Sequence, residues 1–203
     1  VLFHLGGCIA KYFGIIAFSI PFSFGHVGVD FFFVLSGFII LHAHRNDIFQ
    51  PHKLVRYLKK RFIRIYPTYW MIYLTVFFLA IISTALRNTV PHDFSTIFKS
   101  LILIPQSSLP PVLAVAWTLS YEMLFYLFFA CLILSRWLSI IATLSLTYIY
   151  LRYTGISESP FPLSFLSSNY ILLFIMGMII SFVCQSKKDI FNNKLVTTRP
   201  SRH

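Results

Sequence analysis

The sequence predicts an all-α protein, a polytopic transmembrane helix bundle of about six spans. Three observations carry that reading. Of the 203 residues, 57% are hydrophobic and only 11% are charged, too few charges to clothe a soluble surface. Mean hydropathy is +0.76. Apolar runs near the 20 or so residues that a spanning helix needs recur along the chain, with basic clusters set beside them.

The net charge of +11 resembles a nucleic-acid footprint, but its distribution argues otherwise. Seven of the 17 basic residues lie between Arg45 and Arg64, and five more run from Lys187 to the end. Basic clusters beside apolar runs mark cytoplasmic loops of membrane proteins, so no nucleic-acid partner is expected. Cys8, Cys131 and Cys184 are odd in number and far apart, which suits buried small side chains rather than a metal or redox site. No metal ligation is expected at His42 and His44 either, because residues two apart do not share a helical face.

The first span is an incomplete run from Val1 to about Phe13, followed by a Gly/Pro/Ser-punctuated turn, "GIIAFSIPFSFGH". Because the chain opens on Val1 inside an apolar stretch, a fragment whose first helix starts upstream is expected. The second span runs from about Gly28 to His44. The third follows Pro67, and the fourth covers 115–134. The fifth, "WLSIIATLSLTYIYL", is short; the sixth is "NYILLFIMGMIISFVC", closed by Lys187-Lys188. These make one membrane domain, 1–184, with a basic tail, 185–203. Between the third and fourth spans, "FSTIFKSLILIP" (94–105) is expected to be interfacial.

Loop charges orient the bundle. The 45–64 segment carries seven basic residues against Asp47 alone and is placed in the cytoplasm. Threading onward puts 87–113 outside, Arg136 inside, Glu158 outside and the basic tail inside again.

Several residues are more polar than lipid requires. On a helix, Asp30, Val34, Gly37, Leu41 and His44 fall within about 40° of one line. Ser36-Gly37 admits a packing explanation, since small residues let helices approach closely. Asp30 is either a helix cap or a group facing protein or a wet cavity. In "AWTLSYEMLFY", Thr118, Glu122 and Tyr126 recur every fourth residue and form one polar stripe. Glu122 lies well inside its span and needs a partner or a polar cavity.

In "KLVRYLKKRFIRIYP", Leu54, Leu58, Phe62 and Ile65 mark an apolar face, with Lys53, Arg56, Lys60 and Arg64 on its flank. Arg61, seven residues after Leu54, falls on the apolar face itself. An inward Arg at a cytoplasmic membrane boundary suits a phosphate-bearing ligand or an intramembrane carboxylate. His4, inside the first apolar run, is a functional candidate because intramembrane ionisable groups are costly.

Taken together, "VLFH", "GVDFFFVLSGFII", "KKRFIRIYP", "WTLSYEMLFY" and "NYILLFIMGMII", in this order, resemble the acyltransferase-3 family of integral membrane proteins and its polysaccharide O-acetyltransferases. The resemblance covers nearly the whole chain. It implies a fold of about ten spans, of which this chain carries the N-terminal part, and transfer of an acyl group, usually acetyl from acetyl-CoA, to a carbohydrate or lipid-linked sugar hydroxyl. No bound cofactor is implied; acyl-CoA is the donor co-substrate.

The family's functional histidine matches His4, and its Ser-Gly-Phe segment matches Ser36, Gly37 and Phe38. The Arg-x-x-Arg pair matches Arg61 and Arg64, and the acid after Trp-x-Leu-Ser matches Glu122. The family's Arg ten residues before that His precedes this chain's start. On this reading His4, Glu122 and Asp30 serve catalysis and Arg61 and Arg64 hold CoA phosphates. Ser36, Gly37, Phe38, Trp117 and Ser120 line the substrate path. The implied location is a bacterial inner membrane. A lipid-linked-sugar transporter or flippase, and a truncated paralogue without catalysis, are the rival readings.

Overall fold

Burial of backbone in lipid requires every N–H and C=O to find a partner inside the protein, which helices achieve locally. The computed structural model describes residues 25–82, 93–106, 116–156 and 160–197, and side chains in them except at 25–26 and 188–197. Among the described residues no strand forms. The helices are α1 (Gly25–His44), α2 (Leu54–Ile82), α3 (Phe94–Leu101), α4 (Ala116–Leu134), α5 (Arg136–Tyr153), α6 (Leu163–Leu166) and α7 (Asn169–Thr197). The first expected span, with His4 and Cys8, lies outside the described residues.

Four of these helices are long and apolar enough to cross a membrane, within Val27–Asp47, Pro51–Ile82, Ala116–Leu134 and Leu163–Lys187. The expected fifth span is indeed a helix, α5, of 18 residues. Its Ser, Thr and Tyr content and its two end arginines make it less apolar than the other four. The chain thus shows four such helices among the described residues where six spans were expected along the whole of it. Met71, Ile82, Trp137 and Leu151 are each more than 70% exposed, apolar surface of a kind that lipid covers.

The chain divides into two compact units, one made of Val1–Ala43 and Leu172–His203, the other of His44–Ile171. In the first, α1 and α7 cross through two glycines. A Cβ on Gly37 would sit 2.0 Å from the Phe174 carbonyl oxygen, and one on Gly177 would sit 1.9 Å from that of Val34. Only residues without a side chain permit backbones this close. Phe33, Ile40 and Phe174 are buried beside the crossing. Gln185 Nε2 lies 3.0 Å from Ser181 Oγ and 3.2 Å from His42 Nδ1, so the polar atoms of this face satisfy one another. Helix α7 does not stop near Cys184 but continues to Thr197, carrying the start of the basic tail as helix.

In the second unit α4 packs on both α2 and α5. Helix α2 runs unbroken through Pro67, so the basic segment and the third span are one element. Proline removes one backbone donor, a loss that membrane helices absorb through local adjustment. The buried face of α2 is Tyr57, Arg61, Ile65, Tyr69 and Tyr73, every fourth residue. The face assigned from the sequence holds in part: Arg61 and Ile65 are buried, but Leu58 and Phe62 are exposed. Lipid accepts aliphatic and phenyl side chains, so the polar aromatics are the ones that turn inward to find partners.

Those partners are carbonyls of α3 and of the residue after it. Tyr69 donates to the Ser100 carbonyl, Tyr66 to that of Ile102, Trp70 to that of Leu101 and Tyr73 to that of Ile97, mid-helix. A helix end leaves carbonyls such as those of Ser100 and Leu101 without intrahelical donors, and this aromatic row supplies them. At the other end, Asp93 caps α3 by accepting from the Thr96 N–H at 3.0 Å. Thr96 and Ser100 are buried while Phe94 and Phe98 are exposed, an arrangement that suits a helix lying in a membrane interface.

Candidate functional site

The site grows from the step between α1 and α2. Helix α1 ends at His44, whose Nδ1 lies 2.7 Å from Asp47 Oδ2. Lys53 Nζ lies 2.9 Å from the other oxygen of Asp47 and donates to the Asn46 carbonyl. One acid therefore organises a loop that is otherwise basic. The Phe49 N–H donates to the Leu132 carbonyl at 3.0 Å, fastening this loop to the end of α4, where carbonyls lack intrahelical donors.

One turn into α2, Tyr57 is fully buried; its hydroxyl donates to the Tyr126 carbonyl at 3.2 Å. His44 meets the Tyr57 ring edge-on, with centroids 5.0 Å apart. Four residues further, Arg61 is only 8% exposed. Its guanidinium carbon lies 5.4 Å from the Tyr57 ring centroid and 5.1 Å from that of Tyr126. The neighbouring cations Arg56, Lys60 and Arg64 are exposed. Arg61 is thus singled out by position on the helix, not by composition of the segment.

Helix α4 supplies the counterpart. Glu122 is 5% exposed and accepts a hydrogen bond from the Tyr126 hydroxyl one turn along. Tyr126 joins the two charges: its ring lies beneath the guanidinium and its hydroxyl rests on the carboxylate. Magnitudes decide what this means for Arg61. Removing a cation from water costs several kcal/mol, and each aromatic face returns about 0.5–2 kcal/mol. Arg61 Nε is buried with no hydrogen-bond partner, a further cost of about 1–3 kcal/mol. Glu122 beyond the same ring offsets part of this. Nε–H is the donor that Arg61 leaves open to an anion.

Toward the N-terminal end of α4 lies a cavity of about 430 Å³. Trp117, Ser120, Tyr121, Phe165 and Tyr170 line it, closed on one side by residues 104–106. That wall begins just past the end of α3, at Leu103, a buried residue with φ of 58°. The Ile104 N–H returns to the Lys99 carbonyl at 2.9 Å, a left-handed helix ending of the kind usually given to glycine.

The residues singled out from sequence divide between the two units. Arg61, Arg64, Trp117, Ser120 and Glu122 belong to the second. Arg61 and Glu122 meet through Tyr126; Trp117 and Ser120 line the cavity; Arg64 is exposed. Asp30, Ser36, Gly37 and Phe38 belong to the first. Asp30 is exposed, Ser36 half-buried, Gly37 forms the helix crossing, and Phe38 stacks on His42 at 5.7 Å. His4 lies outside the described residues. Sequence reasoning missed Tyr57 and the His44–Asp47 pair. Tyr57 stands four residues before Arg61, the spacing that already pointed from Glu122 to Tyr126.

A family model described as an acyltransferase domain, Acyl_transf_3, matches residues 1–186. The chain belongs to the acyltransferase-3 family. A curated relative, the exopolysaccharide production protein ExoZ of Rhizobium meliloti (strain 1021), is 37% identical over 112 residues. That stretch is 54% of this chain and 34% of the relative, so the chain spans about a third of the length of the protein it matches. No solved structure matches. In this acyltransferase-3 member the Arg61–Tyr126–Glu122 cluster and the aromatic cavity both belong to the matched residues and to one compact unit.

Proposed function

We propose that the protein is a membrane-bound O-acyltransferase moving an acyl group, acetyl by preference, from acyl-CoA to a hydroxyl of a carbohydrate or lipid-linked sugar. Membership of an acyltransferase family supports the reaction class, and similarity to an exopolysaccharide production protein supports the acceptor class. The observation that carries the reading is buried Arg61, whose Nε–H lacks a partner. An anion-seeking guanidinium beside a basic loop suits the phosphates of CoA, which Arg forks bind well.

The orientation proposed places the 45–64 segment and the basic tail in the cytosol of a bacterial inner membrane, the side on which acyl-CoA is found. Arg61 holds the donor phosphates and exposed Arg64 assists from the same helix. The acceptor hydroxyl attacks the thioester carbonyl while His4 takes its proton. The tetrahedral intermediate collapses with loss of CoA as thiolate, which recovers that proton from His4. A positioned base of this kind contributes about 10²- to 10⁴-fold, and histidine titrates near working pH. Glu122 or Asp30 orients the imidazole.

The test is release of free CoA thiol from acetyl-CoA by the purified full-length protein. Acceptor-dependent release that His4→Ala abolishes supports the proposal; unchanged release in that variant removes His4 from the mechanism. A transporter or flippase, or an inactive paralogue, gives no release at all.

A further inference from the structure

Two chemistries separate along α4. The Arg61–Tyr126–Glu122 end is charged; the cavity near Trp117 is not. Among the described residues its lining holds no cation to pair with a phosphate. Ile104 is the single open-chain aliphatic residue among the described lining residues, which makes a poor receptacle for an acyl tail. What it presents instead is aromatic face edged by polar groups.

The rings are arranged in advance. Tyr121, buried, stacks on Phe165 with centroids 4.0 Å apart and meets Tyr170 edge-on at 5.3 Å. Its hydroxyl donates to the Phe165 carbonyl. Outside this fixed ring stand Trp117 and Tyr170, 5.4 Å apart and tilted by 42°, neither of them buried. Two polar groups complete the wall. Gln106 Nε2 donates to Ser100 Oγ at 3.0 Å and to the Thr96 carbonyl, so its amide is held in place. Ser120 Oγ donates to the Ala116 carbonyl and keeps lone pairs able to accept.

We propose that this cavity is the acceptor subsite and takes one neutral pyranose ring of the carbohydrate, stacked on Trp117 and Tyr170 and hydrogen-bonded by Gln106 and Ser120. A pyranose has a C–H face for an aromatic ring and a rim of hydroxyls for fixed amide and hydroxyl partners. The volume falls within the roughly 300–1,000 Å³ of small-molecule sites, room for a sugar ring but not for a long oligosaccharide. Along α4 the cavity residues Trp117, Ser120 and Tyr121 precede Glu122 and Tyr126 and lie on a different face of the helix. The proposal rests on the acyltransferase reading for its link to catalysis, but not for its claim on sugar binding.

The experiment uses the full-length protein in nanodiscs, with cellobiose, maltose and methyl glucoside as neutral probes. Binding is followed by isothermal titration calorimetry. Saturable binding is expected to at least one probe, weakened at least tenfold by Tyr170→Ala and largely retained in Tyr170→Phe. In the transfer assay Tyr170→Ala should raise KM for the acceptor at least tenfold while leaving KM for acetyl-CoA in place. Binding without any acetyl transfer leaves the subsite standing and removes the acyltransferase reading. No saturable binding of any probe, or equal binding by Tyr170→Ala and the parent, overturns the subsite whatever the transfer assay shows.

Discussion

At the crossing of α1 and α7, in the first unit, what matters is the atoms the sequence leaves out. Gly37 and Gly177 face the carbonyls of Phe174 and Val34 at distances that no Cβ tolerates. Between α2 and α4, in the second unit, what matters is the atoms it adds: phenol and guanidinium groups that bridge the helices. Lipid explains both solutions. Helices in a bilayer gain little by hiding apolar side chains, so they associate through close backbone packing or through polar groups that need partners. The first solution builds a spacer. The second leaves charge in the interior, and charge is what chemistry requires.

The two units should therefore fail in different ways. The largest effect is expected at the glycines. Gly177→Leu, or even Gly37→Ala, must force the backbones apart, and destabilisation should reach or exceed the upper end of the about 1–3 kcal/mol usual for overpacking. Gly28 has nothing within 4 Å of a built Cβ, so Gly28→Ala should be neutral or stabilising by up to about 1 kcal/mol. Thermal unfolding in detergent separates the two, and equal melting of both variants would erase the contrast between spacer and surface.

Tyr126→Phe comes next. It leaves buried Glu122 without this donor, at about 1–3 kcal/mol, and should depress CoA release more than it depresses stability. A loss of stability with turnover untouched would make Tyr126 a packing residue only. Smaller effects are expected along α3: Tyr69→Phe and Tyr73→Phe should each cost about 0.5–1.5 kcal/mol, read as faster amide exchange across Phe94–Leu101. Smallest is the cap. The Thr96 N–H and hydroxyl hold the Asp93 carboxyl below its ordinary range. The cap therefore contributes fully above the unfolded carboxylate pKa and is lost as pH falls through the lowered folded value. Asp93→Asn should preserve exchange protection and Asp93→Ala reduce it, with the difference insensitive to pH near neutrality.

How far the sequence disclosed this follows from the same physics. Fourfold spacing from Glu122 to Tyr126 was legible, as was the anomaly of Arg61 among basic neighbours that are exposed. The face around Arg61 was legible only in part. Reading Leu58 and Phe62 as inward applied a soluble-protein rule where lipid reverses it. Pro67 suggests a boundary in the sequence, yet α2 passes through it. Gly177 carries no local mark in the sixth span, because a helix crossing joins residues 140 positions apart and no local pattern announces it. The aromatic row Tyr66, Tyr69, Trp70 and Tyr73 has plain helical spacing, but its partners are backbone carbonyls, which a sequence does not display.

The account stands most directly on the affinity of the purified full-length protein for acetyl-CoA before and after Arg61→Met. Charged hydrogen bonds of about 1.5–3 kcal/mol, at 1.4 kcal/mol per tenfold, predict Kd weaker by about 10- to 100-fold. Removing Arg61 alone leaves buried Glu122 uncompensated, so the melting temperature should fall, and Kd is read on folded protein well below it. An Arg61→Met protein that binds acetyl-CoA as tightly as its parent would contradict the assignment of this guanidinium to the donor.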